Sequence, residues 1–476
     1  MVLSSNIFLF LFLPLFLATY YAVGSRWRSL VIVLGSYLFY SWWRPDFLIL
    51  FVAITYWNYW FGLRIKSCLN AGKQKTAFRW LTVGVIGDLS TLGYFKYANF
   101  GVDVIAGVLQ PLGINTFTLE HIILPLGISF YVFQALSYIV DIYRKQAEPT
   151  NSFIDFAAYI ALFPQLIAGP IVRYKLVEQQ FRERVHSMEL FYLGASRFML
   201  GFIKKVLIAD SLASVSLLFF NESEPQLLDA WFGLLVSVVQ LYFDFSGYSD
   251  MAIGLGMMMG FRFPENFNQP FLAQSITEFW HRWHMTLADF LRDYVYMPMV
   301  RKRFAGAMVA LVYTMLLSGL WHGASFAFIM WGLFFGVAMV VERRLGIATK
   351  VTSPYKFWRN VRTYLLLNLS MPLFFTGDLS HALEIYAGLM GLNGIGSVSG
   401  YVYGVSMMSM SFYLIGMAWI ALAGTINIRY YATNRQQPYF MQHVQGLSSL
   451  FLWFGFALAM TRLAANSFSP FLYFQF

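Results

Sequence analysis

The stretch TEFWHRWHMTLADFLRDYVYMP, Thr277 to Pro298, sets Glu278, His281, Arg282, His284, Arg292 and Asp293 among Phe279, Trp280, Trp283 and Phe290. Farther along, SGLWHGASF places His322 between Trp321 and Gly323, with apolar runs on both sides. Ionisable groups in so apolar a setting are costly, and they persist chiefly where they face a cavity and perform a function. Imidazole titrates near neutrality, so it can take a proton from a hydroxyl and return it to a leaving group. Of the seven histidines, His284 and His322 sit in apolar, tryptophan-flanked surroundings amid polar groups, and they are the candidate catalytic residues. Helical spacing predicts one shared face for Trp280 with His284, and another for His281 with His284. Arg282 and Asp293 form a candidate buried ion pair. The plainer reading of Trp280, Trp283 and Arg282 is interfacial indoles with a snorkelling guanidinium. Gly323 would let a substrate backbone or thioester approach His322 closely.

A second polar block, QLYFDFSGYSDMAIGLGMMMGFRFPENFNQPF over residues 240–271, puts Asp244, Ser246, Tyr248 and Asp250 where a membrane span should be most apolar. Gly247, Gly254, Gly256 and Gly260 would allow close backbone approach or a bend. Helix packing with a polar turn accounts for any one of these residues. The whole cluster, followed at once by PENFNQP, reads instead as a helix that breaks inside a protein-walled cavity. Asp244, Ser246, Tyr248, Asn266, Trp280, Arg282, Asp293 and Trp321 are the candidate cavity-lining or substrate-binding residues. No Gly-rich phosphate loop, GxSxG elbow or dinucleotide fingerprint accompanies them. Three imidazoles, His281, His284 and His322, could hold zinc. His281 and His284 lack the HExxH pattern and an obvious carboxylate base, so no metal is expected.

Composition defines the elements that must hold these groups. The 476-residue chain is 58% hydrophobic, 19% aromatic and 12% charged, where a soluble globule carries about 25% charged residues. Its apolar segments are continuous rather than alternating, unlike those of a β-barrel. The expected fold is an all-α polytopic membrane protein. It has about eleven transmembrane helices plus re-entrant segments around a central polar cavity, at about 20 residues per span. The lone cysteine, Cys68, excludes a disulfide framework or a thiol metal cluster. The net charge of +10 gathers in loops between apolar segments, as a topology signal does, and not in a nucleic-acid surface.

The first apolar run has no positive residue before it and no cleavage site, and Arg26 and Arg28 follow it. It reads as a retained span with a periplasmic amino terminus. Spans near 29–43 and 46–63 lead to a cytoplasmic loop with Arg64, Lys66, Lys73, Lys75 and Arg79. Spans near 80–96 and 121–143 flank an external loop, and Arg144 and Lys145 return the chain inside. The segment 153–173, broken by Pro164 and Pro170, reads as re-entrant. Lys204 and Lys205 mark another inner boundary. Basic clusters at 301–303 and 343–362 also lie inside, so the two apolar runs between them must cross and return, or form a hairpin, with His322 at the turn. The stretch 363–428, free of Lys and Arg, brackets a long external loop, and a last span lies near 447–465. No repeat or soluble segment interrupts, so residues 1–476 form a single membrane-embedded domain.

These blocks, taken in order, resemble the membrane-bound O-acyltransferase family, in its bacterial branch that O-acetylates exopolysaccharides such as alginate or cellulose. The resemblance runs from SSNIFLFLFLP through LPLGISFYVFQALSYIVDIYR at 124–144 and LFPQLIAGPIVR at 162–173. It continues with QLYFDFSGYSDMAIG, PENFNQPF, SITEFWHRWHMTL, FLRDYVYMP and LSGLWHG, covering most of residues 1–345. It implies that His322 is the family's invariant histidine and His284 its second functional one. It further implies an enzyme of the inner membrane with no bound cofactor, supplied with acetyl-CoA from the cytoplasm. Periplasmic or membrane-anchored acetyltransferase partners and polysaccharide export machinery would work beside it, with membrane lipid around it and no nucleic acid. RDYVYMPMVRKRFAG departs from the branch, because it is shorter and lacks a Gly-Gly-Asn-Arg loop. RDYVYM is also similar to the D-alanyl transfer proteins of teichoic acid systems. D-alanyl or peptidoglycan O-acyl transfer, transport of an acyl donor without chemistry, and a scaffold role thus stay open. No motif after residue 345 adds to the resemblance.

Overall fold

Continuous apolar runs can satisfy their backbone groups in lipid only as helices. In the computed structural model every regular element among the described residues is helical. The structure describes residues 1–114, 119, 121–350, 353–397, 407–427 and 447–465. Among the described residues, Phe47–Asn70, Leu227–Met258 and Phe326–Arg344 are the 3 helices long and apolar enough to cross a membrane, and Phe8–Ala22, Ile128–Tyr143 and Ala307–His322 are among the shorter apolar ones. The chain divides into two compact units, Met1–Ala195 with Ala252–Pro264, and Ser196–Met251 with Glu265–Phe476.

The first unit holds α1 (Leu13–Ala22), α2 (Arg28–Ser41), α3 (Phe47–Asn70), α4 (Gln74–Leu109), α5 (Ile128–Tyr143), α6 (Phe153–Ala161), α7 (Phe163–Leu166) and α8 (Tyr174–Arg182). Tyr138 of α5 lies over Gly62 of α3, where an added Cβ would strike its ring, and against Phe156 of α6 at 4.3 Å between centroids. Asn58 donates to buried Asp88 at 2.8 Å, a buried side-chain hydrogen bond that ties α3 to α4. The proline-broken segment is short, as expected. At 1.5 Å per residue α6 is about 14 Å long, half of a hydrocarbon core. Lys66 pairs with Glu148 at 2.6 Å, and Lys175 donates to Gln146 at 2.9 Å. One expectation needs correction. α4 has 36 residues and runs past Lys96 to Leu109, because the next proline is Pro111, so the external loop expected after residue 96 begins as helix.

The second unit takes its chain from α9 (Met188–Ile203) after Ala195, α10 (Asp210–Phe220), α11 (Leu227–Met258) as far as Met251, α12 (Ile276–Trp280), α13 (Met285–Leu291) and α14 (Met297–Arg301). It continues with α15 (Ala307–His322), α16 (Phe326–Arg344), α17 (Phe357–Thr376), α18 (Leu379–Leu389), α19 (Met407–Asn427) and α20 (Leu447–Ala465). α11 is one helix of 32 residues that runs unbroken through Asp244 and Asp250 and ends at Met258, inside the polar block and before PENFNQP. Its acids are neutralised in place. Lys205 lies 2.7 Å from Asp244 and 2.6 Å from Asp210, and Lys204 lies 2.7 Å from Asp250. Arg197 grips Asp250 at 2.9 Å and also Glu265. Lys204 and Lys205 are therefore buried ion-pair partners. Gly201 and Gly247 bring α9 and α11 close enough for this pairing, since a Cβ on either would meet the other's carbonyl oxygen.

α15 and α16 form the expected hairpin. Gly319 and Gly332 sit where an added Cβ would strike the facing backbone, so the two helices can lie in close contact. The turn starts at Gly323, and Ser325 caps α16 by accepting from the Phe328 N–H at 3.5 Å. Arg344 meets Met308 at the hairpin base. His322 closes α15 after 16 residues, about 24 Å from that base at 1.5 Å per residue. The described part of 363–428, the stretch expected to bracket a long external loop, is largely helical. It contains most of α17, then α18 and α19, because a lack of Lys and Arg reports charge and not irregular backbone. Residues 398–406, and the carboxyl terminus beyond 465, lie outside the described residues.

Candidate active site

The segment before His284 is fixed by its own acids. Ser275 opens α12 by accepting from the Glu278 N–H at 3.0 Å, and the Glu278 carboxylate reaches back to the Gln274 N–H at 3.0 Å, a reciprocal cap. Glu342 of α16 accepts from the Ile276 and Thr277 N–H groups at 2.7 and 3.0 Å, so the helix start has no orphan donors there. Arg282 donates to Glu278 at 2.9 Å and to the Asn268 carbonyl at 3.1 Å. Asp293 is the partner that the sequence suggests for Arg282, and the structure gives each another partner. Arg282 stands one helical turn after Glu278, whereas Asp293 is held by its neighbour Arg292 at 2.8 Å.

His284 does not continue α12. The helix ends at Trp280, and His284 has φ 44° and ψ 51°, the left-handed region that non-glycine residues enter at a cost. The shared helical face expected for Trp280, His281 and His284 is therefore absent. Asn266 supplies the compensation. Its carbonyl accepts from the Met285 N–H at 2.9 Å. Its Oδ1 accepts from the Thr286 N–H at 3.3 Å and the Thr286 hydroxyl at 2.9 Å, and it lies 3.1 Å from His284 Nδ1. A backbone N–H can only donate, so the Asn266 atom facing it is the oxygen, and His284 Nδ1 must carry a proton. In the neutral imidazole the lone pair then sits on Nε2. Phe245 of α11 packs edge-on against this ring at 4.8 Å.

His322 stands in an aromatic box. Its ring lies 4.8 Å from Trp321, 5.1 Å from Trp331 and 5.1 Å from Phe374, centroid to centroid. Trp321 is also 5.9 Å from His284, so one indole bridges the two histidines. Gly323 has a different use from the one its smallness suggested. An added Cβ there would run into the Phe328 ring, so the space beside it is filled by protein.

A cavity of 150 Å³ opens beneath this box, lined by Trp280, His281, Arg292, Tyr296, Ser318 and Arg343 among others. Ser318 is one helical turn before His322, and Trp280 packs on Trp331 at 5.7 Å. Of the expected lining residues, Trp280 borders this cavity. Asp244 is paired with Lys205, Ser246 and Tyr248 are buried on α11, and Asn266, Arg282 and Trp321 are buried nearer His284 and His322. Asp293 is half-buried beside Arg292. Among the described residues no group of three His, Cys, Asp or Glu side chains could hold a metal ion, so His281, His284 and His322 do not assemble as a zinc set.

The family model described as MBOAT, membrane-bound O-acyltransferase family, matches residues 144–375, the span that ends at the Phe374 wall of the box. A probable alginate O-acetylase of Pseudomonas putida is 45% identical over 495 residues, covering 100% of both chains. The chain belongs to the membrane-bound O-acyltransferase family. A probable alginate O-acetylase of Pseudomonas syringae is 52% identical over 396 residues, covering 82% of this chain and 75% of that one. A peptidoglycan O-acetyltransferase of Helicobacter pylori is 35% identical over 433 residues, covering 82% of this chain and 80% of that one.

Several residues that shape the site of this O-acyltransferase escaped the sequence reading. Glu278 was seen as a costly charge, although Ser275 three residues earlier carries the capping-box signal. Glu342 and Phe374 gave no local sign, since each acts on a segment far away in the chain. Thr349 belongs with them, donating its hydroxyl to Glu278 at 2.7 Å.

Proposed function

We propose that this O-acyltransferase moves an acetyl group from cytoplasmic acetyl-CoA to an acceptor hydroxyl, across or into the membrane, for O-acetylation of an exopolysaccharide of the alginate type. It would do so as a single domain of about eleven crossings in the inner membrane, at about 20 residues each, with its amino terminus periplasmic. The observation that carries this is the box around His322, bridged by Trp321 to His284 and one helical turn above a cavity reaching Arg343 at the hairpin base. Cationic groups there suit an anionic donor arriving from the side of the basic loops. Full-length likeness to probable alginate O-acetylases supports the acceptor class, and likeness to a peptidoglycan O-acetyltransferase supports acetyl as the group moved. Periplasmic or membrane-anchored acetyltransferases would carry the acetyl group onward beside the export machinery.

In this mechanism His322 takes the proton of the acceptor O–H as that oxygen attacks the thioester carbonyl carbon. The C–O bond forms, the C–S bond breaks, and the departing thiolate takes the proton back from the His322 imidazolium. His284, with its Nδ1 proton on Asn266, presents Nε2 to the acceptor hydroxyl and orients it. Donation from a neutral His284 to the oxyanion would need the other tautomer. The buried indole N–H of Trp331 has no hydrogen-bond partner among the described residues, and such a donor suits the developing oxyanion. The test is mass spectrometry of surface polysaccharide from cells with and without this protein. Loss of O-acetyl groups from the exopolysaccharide is expected. An unchanged polymer with acetyl lost from peptidoglycan would overturn the acceptor.

Asn266→Leu removes the acceptor that fixes the His284 tautomer. One hydrogen bond of this kind is worth about 0.5–1.5 kcal/mol, so acetyl transfer should fall about threefold to tenfold. Asn266→Asp keeps an acceptor oxygen and should retain most activity. Equal rates for the leucine and wild-type proteins at matched membrane levels would detach Asn266 from His284.

Topology is tested with an impermeant thiol reagent on intact cells, in a Cys68→Ser background. Lys73→Cys and Arg344→Cys should be shielded, and Ser223→Cys and Leu392→Cys labelled. Labelling of the first two would reverse the orientation set by the basic loops.

A further inference from the structure

Where α1 turns into α2, two arginines converge without an acid. Tyr20 donates its hydroxyl proton to the Met259 carbonyl at 2.7 Å, so its oxygen accepts from Arg184 Nη1 at 3.0 Å and from His186 Nε2 at 3.0 Å. His186 Nδ1 in turn accepts from Arg28 Nη1 at 3.0 Å. The imidazole is thereby neutral, and burial together with Arg28 and Arg184 holds its pKa below the ordinary value. Both guanidiniums lie on aromatic faces, Arg28 at 5.4 Å from Tyr20 and Arg184 at 4.5 Å from Phe261. Rings orient such charges and do not neutralise them. Among the described residues neither arginine has a carboxylate partner. The carbonyl end of α11 at Met258 and Met259 offers about half a negative charge, too little for two guanidiniums.

The same corner opens into an apolar groove of 340 Å³ between α1 and α2, lined by Leu15, Thr19, Val31, Leu34, Leu38 and Trp42 among others. Thr19 directly precedes Tyr20, and Val31 is one turn beyond Arg28, so the groove begins beside the arginines. From Val31 to Trp42 it follows α2 for about 16 Å at 1.5 Å per residue, the depth of one leaflet of a hydrocarbon core of about 30 Å. We propose that this corner is a binding site for an anionic phospholipid, with the phosphate on Arg28 and Arg184 and one acyl chain in the groove between α1 and α2. A cationic head position continuous with a leaflet-long apolar trough matches that amphiphile in charge and in shape. The site is independent of the chemistry at His322.

The experiment uses the full chain purified in detergent, with thermal unfolding and native mass spectrometry in the presence of phosphatidylglycerol, phosphatidylcholine or inorganic phosphate. Phosphatidylglycerol should raise the melting temperature above the phosphatidylcholine value and stay bound in the mass spectrum. Arg28→Gln should weaken its apparent affinity about fivefold, the contribution of one basic residue near an anionic lipid. Leu34→Trp fills the trough without touching the charges, and should lower lipid retention while the lipid-free melting temperature holds. Equal stabilisation by the two lipids, or an unchanged phosphatidylglycerol preference in Arg28→Gln, would overturn the site. A full shift from inorganic phosphate alone would make it a free-phosphate site, and full lipid retention by Leu34→Trp would remove the acyl chain from the groove.

Discussion

His322→Ala is expected to lower acetyl transfer by about 10²–10⁴-fold, the usual contribution of a positioned general base, with the protein still made and inserted. That range corresponds to roughly 3–5 kcal/mol of transition-state stabilisation at about 1.4 kcal/mol per decade. His322→Gln is the sharper variant. It keeps most of the side-chain volume inside the box of Trp321, Trp331 and Phe374 and keeps a hydrogen-bonding end, yet it cannot titrate. It should therefore fail almost as badly as alanine while melting at the wild-type temperature. Acetyl content of the polymer, normalised to the amount of protein in the membrane, reads the effect. A near-normal rate in His322→Gln would make this residue a structural hydrogen-bonding group. The base would then be sought first at His284, whose Nε2 already carries the lone pair in the neutral form. The same pair of variants separates catalysis from passage of a donor, since a conduit would keep flux when the imidazole is lost.

What the sequence revealed follows from which forces act locally. The α15–α16 hairpin with His322 at its tip was legible because basic clusters mark both ends of two apolar runs, and the charge pattern is read one residue at a time. The buried positions of His284 and Asn266 were visible as polar groups between aromatic residues. Their geometry was not, because the left-handed backbone at His284 depends on hydrogen bonds from a loop 18 residues away in sequence. The acids of α11 carry a related lesson. Asp244 and Asp250 stand where a span should be most apolar, and their partners Lys205 and Lys204 lie on a separate segment, far away in the chain. A charge in a sequence does not announce whether water or another charge will neutralise it. The same holds for Arg282, where two acids were within reach along the chain and the one a helical turn before it was taken.

Arg197→Met should strip the second unit of its central counter-ion. Arg197 is buried and donates to Asp250 at 2.9 and 3.1 Å and to Glu265 at 2.5 Å through Nη1. Removing one partner of a buried ion pair costs about 3–5 kcal/mol, because the remaining charge is left unpaired. Here the lower end is expected. Asp250 keeps Lys204 at 2.7 Å, and the Glu265 side chain is 33% exposed. Against a total stability of about 5–15 kcal/mol, even that loss should cut the folded yield severalfold and lower the melting temperature. Arg197→Met combined with Glu265→Gln removes the unpaired carboxylate as well, so it should recover most of the yield. If the double variant is no more stable than the single one, the loss lies in packing and not in charge. Glu265 directly precedes Asn266, which gives the rescued protein a second use. With the tether at Glu265 gone, the loop that fixes the His284 tautomer is held less tightly, and acetyl transfer per folded molecule should stay below wild type. Full activity in the rescued double variant would show that Asn266 holds its position without Arg197.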